Sequence, residues 1–159
     1  MDAVTVLKQA MKLERDGLDF YLSAAERSKD TDTAQLFRDL AADEVHHYNY
    51  IGRQYDALVA GETWVAIPDL ESVEPADLQS PIFPDGVEAR SDLPEKPSDE
   101  DGLLFALGAE MKSYELYSRS AKEVDDAAAR SLFQGLASAE MQHFDLIMAR
   151  YNALFGYPR

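Results

Sequence analysis

Two of the three histidines in this 159-residue chain follow a glutamate at a distance of three residues, as Glu44–x–x–His47 and Glu140–x–x–His143. Residues three apart on a helix lie on one face, so each pair can present a carboxylate oxygen and an imidazole nitrogen together. Iron, manganese and zinc accept such mixed ligands. A single pair of this kind is most often a solvated helical pair, so its meaning depends on the residues around it.

An internal repeat joins the two motifs. When each residue is compared with the one 96 positions later, sixteen of fifty-two consecutive pairs are identical. Unrelated residues agree at about one position in fifteen, so the similarity is a true repeat. It aligns His47 with His143, but it aligns His46 with Gln142. His47 is therefore the predicted ligand, although Asp43 precedes His46 by the same three residues, and His46 is expected at the surface or beside a ligand.

Two further glutamates complete the set. The repeat aligns Glu14 with Glu110, and both interrupt helical stripes of apolar residues. In an antiparallel hairpin with its turn near residue 30, Glu14 and Glu44 each lie about 15 residues from the turn and stand at one height. The same holds for Glu110 and Glu140 in the second arm. The predicted metal ligands are Glu14, Glu44, His47, Glu110, Glu140 and His143.

The chemistry of this set favours two metal ions. Four carboxylates in a dry core would be very costly as bare charges, whereas two divalent cations neutralise them. An oxygen-rich, histidine-poor set suits iron or manganese better than copper or a structural zinc site. A Glu from each of two helices with Glu–x–x–His from the other two is the ligand pattern of di-iron and di-manganese bundles. The alternative is a bundle that keeps these residues without a metal.

The elements that must position these residues are four helices. Six of the seven prolines lie between residues 68 and 97 and separate two proline-free arms. Each arm has apolar residues at steps of three and four, interrupted once by a polar turn, which predicts two helices. The prediction is an all-α four-helix bundle forming a single domain over residues 1–159. Hairpin 1 covers about 2–61, the connection about 62–97 and hairpin 2 about 98–156, with a long crossover between helices 2 and 3.

Local signals set the expected ends of the helices. Thr31 or Asp32 is expected to cap the second helix, and Gly61 to close it. The stretch "SDED" from Ser98 has the spacing of a capping box. In the connection, "ESVEPADLQS" is expected to form a helical turn or two, and Trp64 to anchor the connection to the bundle.

Tyr21 and Tyr117 each lie seven residues after a core-facing glutamate, on the same helical face. They can be plain core aromatics whose hydroxyls need a partner, or they can bond to a metal-ligating carboxylate. The two readings are compatible.

Composition narrows the class of protein. The net charge of −15 argues against a nucleic-acid binder and against attachment to an anionic membrane. The absence of cysteine excludes disulfides, thiolate metal sites and iron–sulfur clusters, and is typical of a reducing compartment. With no secretory signal and no apolar run long enough to cross a bilayer, the protein is expected in the cytoplasm.

At these motifs the sequence resembles the ferritin-like superfamily, and specifically its rubrerythrin-like group. The resemblance rests on Glu14 followed by "FY", "LAADEVHH" ending at His47, Glu110 followed by "LY", and "LASAEMQH" ending at His143. It implies a non-haem di-iron centre, cycling between Fe²⁺ and Fe³⁺, that reacts with hydrogen peroxide or oxygen in oxidative-stress defence. It also implies that the six residues named above ligate the metals, that Tyr21 and Tyr117 bond to the ligands, and that the protein is a homodimer, with exchanged hairpins as one form.

Two departures from that group matter. Rubrerythrins with a rubredoxin-like domain carry four cysteines, so here electrons must come from an external donor protein or a small reductant. Rubrerythrins also have an extra glutamate in the third helix, where this chain has Ser113. The predicted function is a di-iron peroxidase that reduces hydrogen peroxide or oxygen. The alternatives are a ferroxidase for iron storage or delivery, a di-manganese catalase-like enzyme, and a metal-free structural bundle. Manganese or zinc can substitute for iron, and a ferritin cage is disfavoured because the fourth helix is expected to run almost to Arg159 and to leave no fifth helix.

Overall fold

The computed structural model describes residues 2–65 and 92–156, and these residues form four helices and no strand. They are α1 (Ala3–Arg27), α2 (Thr31–Val59), α3 (Asp99–Glu123) and α4 (Ala127–Phe155). The bounds of α3 and α4 are those of α1 and α2 shifted by 96 residues, since 3 + 96 = 99 and 31 + 96 = 127. The predicted all-α four-helix bundle of two hairpins is confirmed. In the described ranges, no helix combines the length and the apolar character needed to cross a lipid bilayer.

Side-chain caps begin three of the four helices, α2, α3 and α4. The N-cap of α2 is Asp30, whose carboxylate accepts the backbone N–H of Thr33 at 2.9 Å. The expectation of Thr31 or Asp32 as the cap is wrong, because Thr31 is already helical while Asp30 has the extended backbone that a cap requires. Asp126 caps α4 in the same way. The capping box predicted at Ser98 is confirmed and begins α3.

The end of α2 is a glycine turn. Gly61 has φ +78°, and its N–H bonds to the carbonyl of Leu58 while that of Glu62 bonds to Ala57. This pair of bonds is the Schellman motif, for which glycine has no steric penalty. Gly61 therefore closes α2 as predicted.

The four helices enclose two apolar clusters, one at each end of the bundle. One cluster joins Leu7 of α1 to Tyr117 of α3, and the other joins Tyr21 of α1 to Leu103 of α3. The helices α1 and α3 are therefore antiparallel, and so are α2 and α4. Since α2 and α3 then run in the same direction, the connection between them must cross the length of the bundle, as predicted.

The beginning of the connection is attached to the bundle. Trp64 packs edge-on against Phe133, with ring centroids 5.9 Å apart, as expected for its anchoring role. The fully buried amide of Gln54 donates to the carbonyl of Val65 and accepts its N–H. The predicted helical turns in "ESVEPADLQS" lie outside the described residues.

Candidate metal centre

All six residues predicted as metal ligands lie on the inner faces of the helices, between the two apolar clusters. Each is at most 5% exposed, although all are polar or charged. One glutamate comes from α1 and one from α3, and a Glu–x–x–His pair comes from each of α2 and α4. The residues are Glu14, Glu44, His47, Glu110, Glu140 and His143.

Their ligand atoms form two overlapping groups, and within each group these atoms all lie within 4.8 Å of one another. Glu44 and Glu140 belong to both groups. One group adds Glu14 and His47, and the other adds Glu110 and His143. The arrangement can hold two ions, each with its own glutamate and histidine, with two carboxylates shared between them.

Both histidines turn Nδ1 toward the carboxylates. His47 Nδ1 lies 3.1 Å from Glu140 Oε1 and 3.5 Å from Glu14 Oε2. His143 Nδ1 lies 3.4 Å from Glu110 Oε1 and 3.6 Å from Glu44 Oε1. The two imidazoles stack with centroids 5.6 Å apart. Each ring therefore aims the nitrogen that an ion would need at the centre of the cluster.

Several polar atoms in the cluster are buried without a hydrogen-bond partner. They include Glu14 Oε2, Glu110 Oε2 and His143 Nδ1. Leaving a buried acceptor unsatisfied costs about 1–3 kcal/mol, and more when the group is charged. These atoms belong to the non-shared ligands of the two groups, so an ion in each group would satisfy them. The residues present therefore fit a pair of divalent cations.

The carboxyl groups divide into two kinds by pKa. Burial alone would raise the pKa of Glu14, but its polar interactions with the adjacent Glu44 and His47 outweigh burial and lower the pKa to about 2. The pKa of Glu110 is lowered in the same way, by its interactions with Glu140 and His143. Burial, reinforced by repulsion from neighbouring carboxylates, raises the pKa of the shared Glu44 and Glu140. Without metal, the shared carboxyls thus hold a proton more tightly than a free glutamic acid does, and the outer two release theirs more readily.

The neighbouring carboxylates raise the pKa of both histidines. Burial would lower the pKa of His47, but the hydrogen bond and charge of Glu14 raise it. For His143, burial is opposed by Glu110 together with Asp43 and Glu140, and its pKa is raised. Metal ions that bind here would compete with the protons that these groups hold.

Tyr21 and Tyr117 are fully buried, and each bonds to a carboxylate of the opposite hairpin. The hydroxyl of Tyr21 on α1 donates to Glu110 on α3, and that of Tyr117 on α3 donates to Glu14 on α1. Burial and the nearby carboxylates raise the pKa of both phenols, which keeps them neutral donors. The two interpretations of these tyrosines are thus compatible, because both side chains are core aromatics and both donate a hydrogen bond to a carboxylate of the cluster.

Asp43 is a residue of the site that sequence reasoning missed. Its Oδ2 lies 3.0 Å from His143 Nε2, on the side of the ring away from the cluster. The hydrogen bond to His143 lowers the pKa of Asp43. The spacing had associated Asp43 with His46, but His46 is exposed and stacks on Tyr50. The residue equivalent to Asp43 in the second hairpin is Ala139, so the repeat gave no signal.

The comparison with family models bears on the first hairpin. Residues 5–76 match the family model described as Rubrerythrin. The rubrerythrin-like resemblance of the motifs is thereby confirmed. The matched range contains Glu14, Glu44 and His47, and the internal repeat carries the same pattern into the second hairpin. A search of curated proteins and a search of solved structures found no match to this chain.

Proposed function

We propose that this protein is a rubrerythrin-like oxidoreductase that binds two iron ions and reduces hydrogen peroxide, or oxygen, at that pair. The observation that carries the proposal is the buried double group of four glutamates and two histidines, with unsatisfied atoms among the ligands that the groups do not share. The family match supports iron as the metal. The metal ligands we propose are Glu14, Glu44, His47, Glu110, Glu140 and His143.

Each part of the cluster has a separate task in this proposal. When bound, an iron pair supplies two electrons, which with two protons convert hydrogen peroxide into two molecules of water. Glu44 and Glu140, which belong to both ligand groups, would help to hold both ions. Tyr21 and Tyr117 hold Glu110 and Glu14 in place through their hydroxyls. The electrons return from an external donor, because the chain contains no cysteine for a second redox centre of the rubredoxin kind.

Metal binding is tested by two histidine variants. His47→Ala removes a nitrogen ligand from one group, so we expect loss of metal from that position. His46→Gln changes an exposed side chain next to it and should leave the metal content unchanged. Metal per chain is measured by mass spectrometry after anaerobic loading and gel filtration. Equal metal content in the two variants would contradict the ligand assignment.

The reaction is tested with the reduced, iron-loaded protein under anaerobic conditions. Hydrogen peroxide is added in a stopped-flow instrument, and the diferric absorption is followed. We expect it to form faster than in the Glu44→Ala, Glu140→Ala double variant, which lacks both shared carboxylates. Equal rates would overturn the proposal. Uptake of iron far beyond two ions per chain would instead favour the ferroxidase and storage function.

A further inference from the structure

A cavity of about 640 Å³ lies between α1 and α3 and ends at the metal cluster. The side chains of Glu44, Glu110 and Glu140 line its inner end. The helices α1 and α3 belong to different hairpins, and four small residues leave space between them along this stretch. These are Gly17, Gly108, Ala109 and Ser113.

Gly17 explains how the cavity reaches the cluster. A Cβ atom at this position would lie 3.2 Å from Glu44 Oε2, which is tighter than ordinary contact. The glycine therefore leaves the wall open beside a shared carboxylate. Any molecule in the cavity can then approach the carboxylates directly, without an intervening layer of protein.

Between the glutamates of the inner end and the exposed rim, the walls are apolar and partly aromatic. The half-buried wall residues are Leu13, Phe20, Leu93, Phe105 and Met111. Phe20 and Phe105 contact each other across the gap, with ring centroids 4.7 Å apart. The rim carries Asp16, Lys112 and Glu115. Apolar walls with a few convergent polar groups are typical of sites for small organic molecules.

The volume is much larger than peroxide requires. A water molecule occupies about 30 Å³, and peroxide is only slightly larger, whereas pockets for organic ligands measure about 300–1,000 Å³. The surroundings also discriminate by charge. The net charge of −15 disfavours an anionic ligand, and the aromatic and methionine side chains favour a flat, neutral one.

We propose that this cavity binds a neutral aromatic two-electron reductant of the 1,4-hydroquinone class, which supplies the electrons for peroxide reduction. The proposal rests on the function proposed above. In the net reaction the hydroquinone loses two electrons and two protons and becomes a quinone. The O–O bond of peroxide breaks, and its two oxygen atoms take up those electrons and protons to give two molecules of water. The cavity thus provides the donor site that a cysteine-free chain needs.

Binding is tested on the full chain loaded with zinc, which is redox-inert. The probe is 2-methyl-1,4-naphthoquinone together with its hydroquinone, titrated by calorimetry and by NMR. We expect saturable binding of one molecule per chain. Ala109→Trp should fill the cavity and weaken this binding at least tenfold. Leu13 is the equivalent of Ala109 in the repeat and lies on the opposite wall of the cavity. Leu13→Trp should weaken binding to the same extent, and it replaces Ala109→Trp as the test if that variant does not fold. Leu22→Trp, at an exposed position of α1 outside the cavity, is the control and should bind normally.

The outcomes separate this inference from the proposed function. If the probe does not bind, or binds equally well to both wall variants, the cavity is not a reductant site, while the peroxide reaction of the iron-loaded protein still tests the function. If the probe binds and the wall variants abolish binding, but the hydroquinone does not reduce the diferric protein, the donor role is wrong. Loss of hydroquinone-dependent turnover in both wall variants, with reduction by dithionite unchanged, is the result we expect.

Discussion

Asp43 makes the two halves of the candidate metal centre chemically different. Its carboxylate bonds to Nε2 of His143, whereas the equivalent position beside His47 is Ala139. A carboxylate on the outer nitrogen of a metal-binding histidine orients the ring and makes it a stronger ligand. The group that contains His143 should therefore bind metal more tightly than the group that contains His47.

We expect Asp43→Ala to weaken binding at one of the two positions by about 10–100-fold. The reciprocal change, Ala139→Asp, places a carboxylate at the equivalent position beside His47 and should strengthen metal binding by the group that contains His47. Two-site calorimetry with Zn²⁺ measures both constants, and spectra of Co²⁺-loaded protein report the environment of each position. Equal weakening of both positions by Asp43→Ala would indicate a structural role only. Asp43 is exposed, so we expect the fold of the variant to be unchanged.

At the scale of the helices, the two tyrosines connect the hairpins through the polar middle of the bundle. Each hairpin is held internally by close packing of its own helices, and the apolar clusters join the hairpins at both ends. In the middle, where carboxylates replace apolar contacts, Tyr21 and Tyr117 supply the bonds between α1 and α3. Each bond also satisfies one oxygen of a buried carboxylate.

Tyr21→Phe and Tyr117→Phe should each lower the free energy of unfolding of the metal-free protein. Hydrogen bonds to charged groups contribute about 1.5–3 kcal/mol, and the phenyl ring keeps the packing. Urea denaturation measures the change, and Tyr48→Phe on a half-buried side chain outside the cluster is the control. Changes as small as that of the control would show that these hydroxyls do not hold the hairpins together.

At the scale of the whole molecule, the cluster makes the stability of the metal-free protein depend on pH. The pKa values of Glu44 and Glu140 are raised above 4.5, and those of His47 and His143 above 6.5. The unfolded chain therefore releases these protons at lower pH than the folded chain does, and stability falls as pH rises above 4.5. The lowered pKa of Glu14 has the opposite effect on stability. Between pH 2 and 4.5 its contribution makes stability rise with pH.

We accordingly expect the melting temperature of the metal-free protein to decrease from about pH 5 to pH 8. Divalent metal displaces the same protons, so the stabilisation by metal should increase over that range. Calorimetric melting of chelator-treated and Mn²⁺-loaded protein at several pH values measures both effects. A stabilisation by metal that is independent of pH would contradict the proton arrangement described here.

The sequence determined the helices and the candidate ligands, because both depend on local periodicity and on the repeat. The steps of three and four residues define one face of each helix, and the shift of 96 residues places Glu14, Glu44 and His47 in register with their partners. Capping was less certain, since adjacent residues such as Asp30 and Thr31 are both good caps and only the backbone distinguishes them.

Contacts between helices were decided by the tertiary structure alone. Sequence periodicity predicts which face of its own helix a residue lies on, but it does not predict which other helix packs against that face. For this reason the pairing of Tyr21 with Glu110 of the other hairpin, and of Asp43 with His143, could not be read from spacing. The cavity beside Gly17 also arises only from the separation of α1 and α3, because a gap between helices belongs to neither sequence segment by itself.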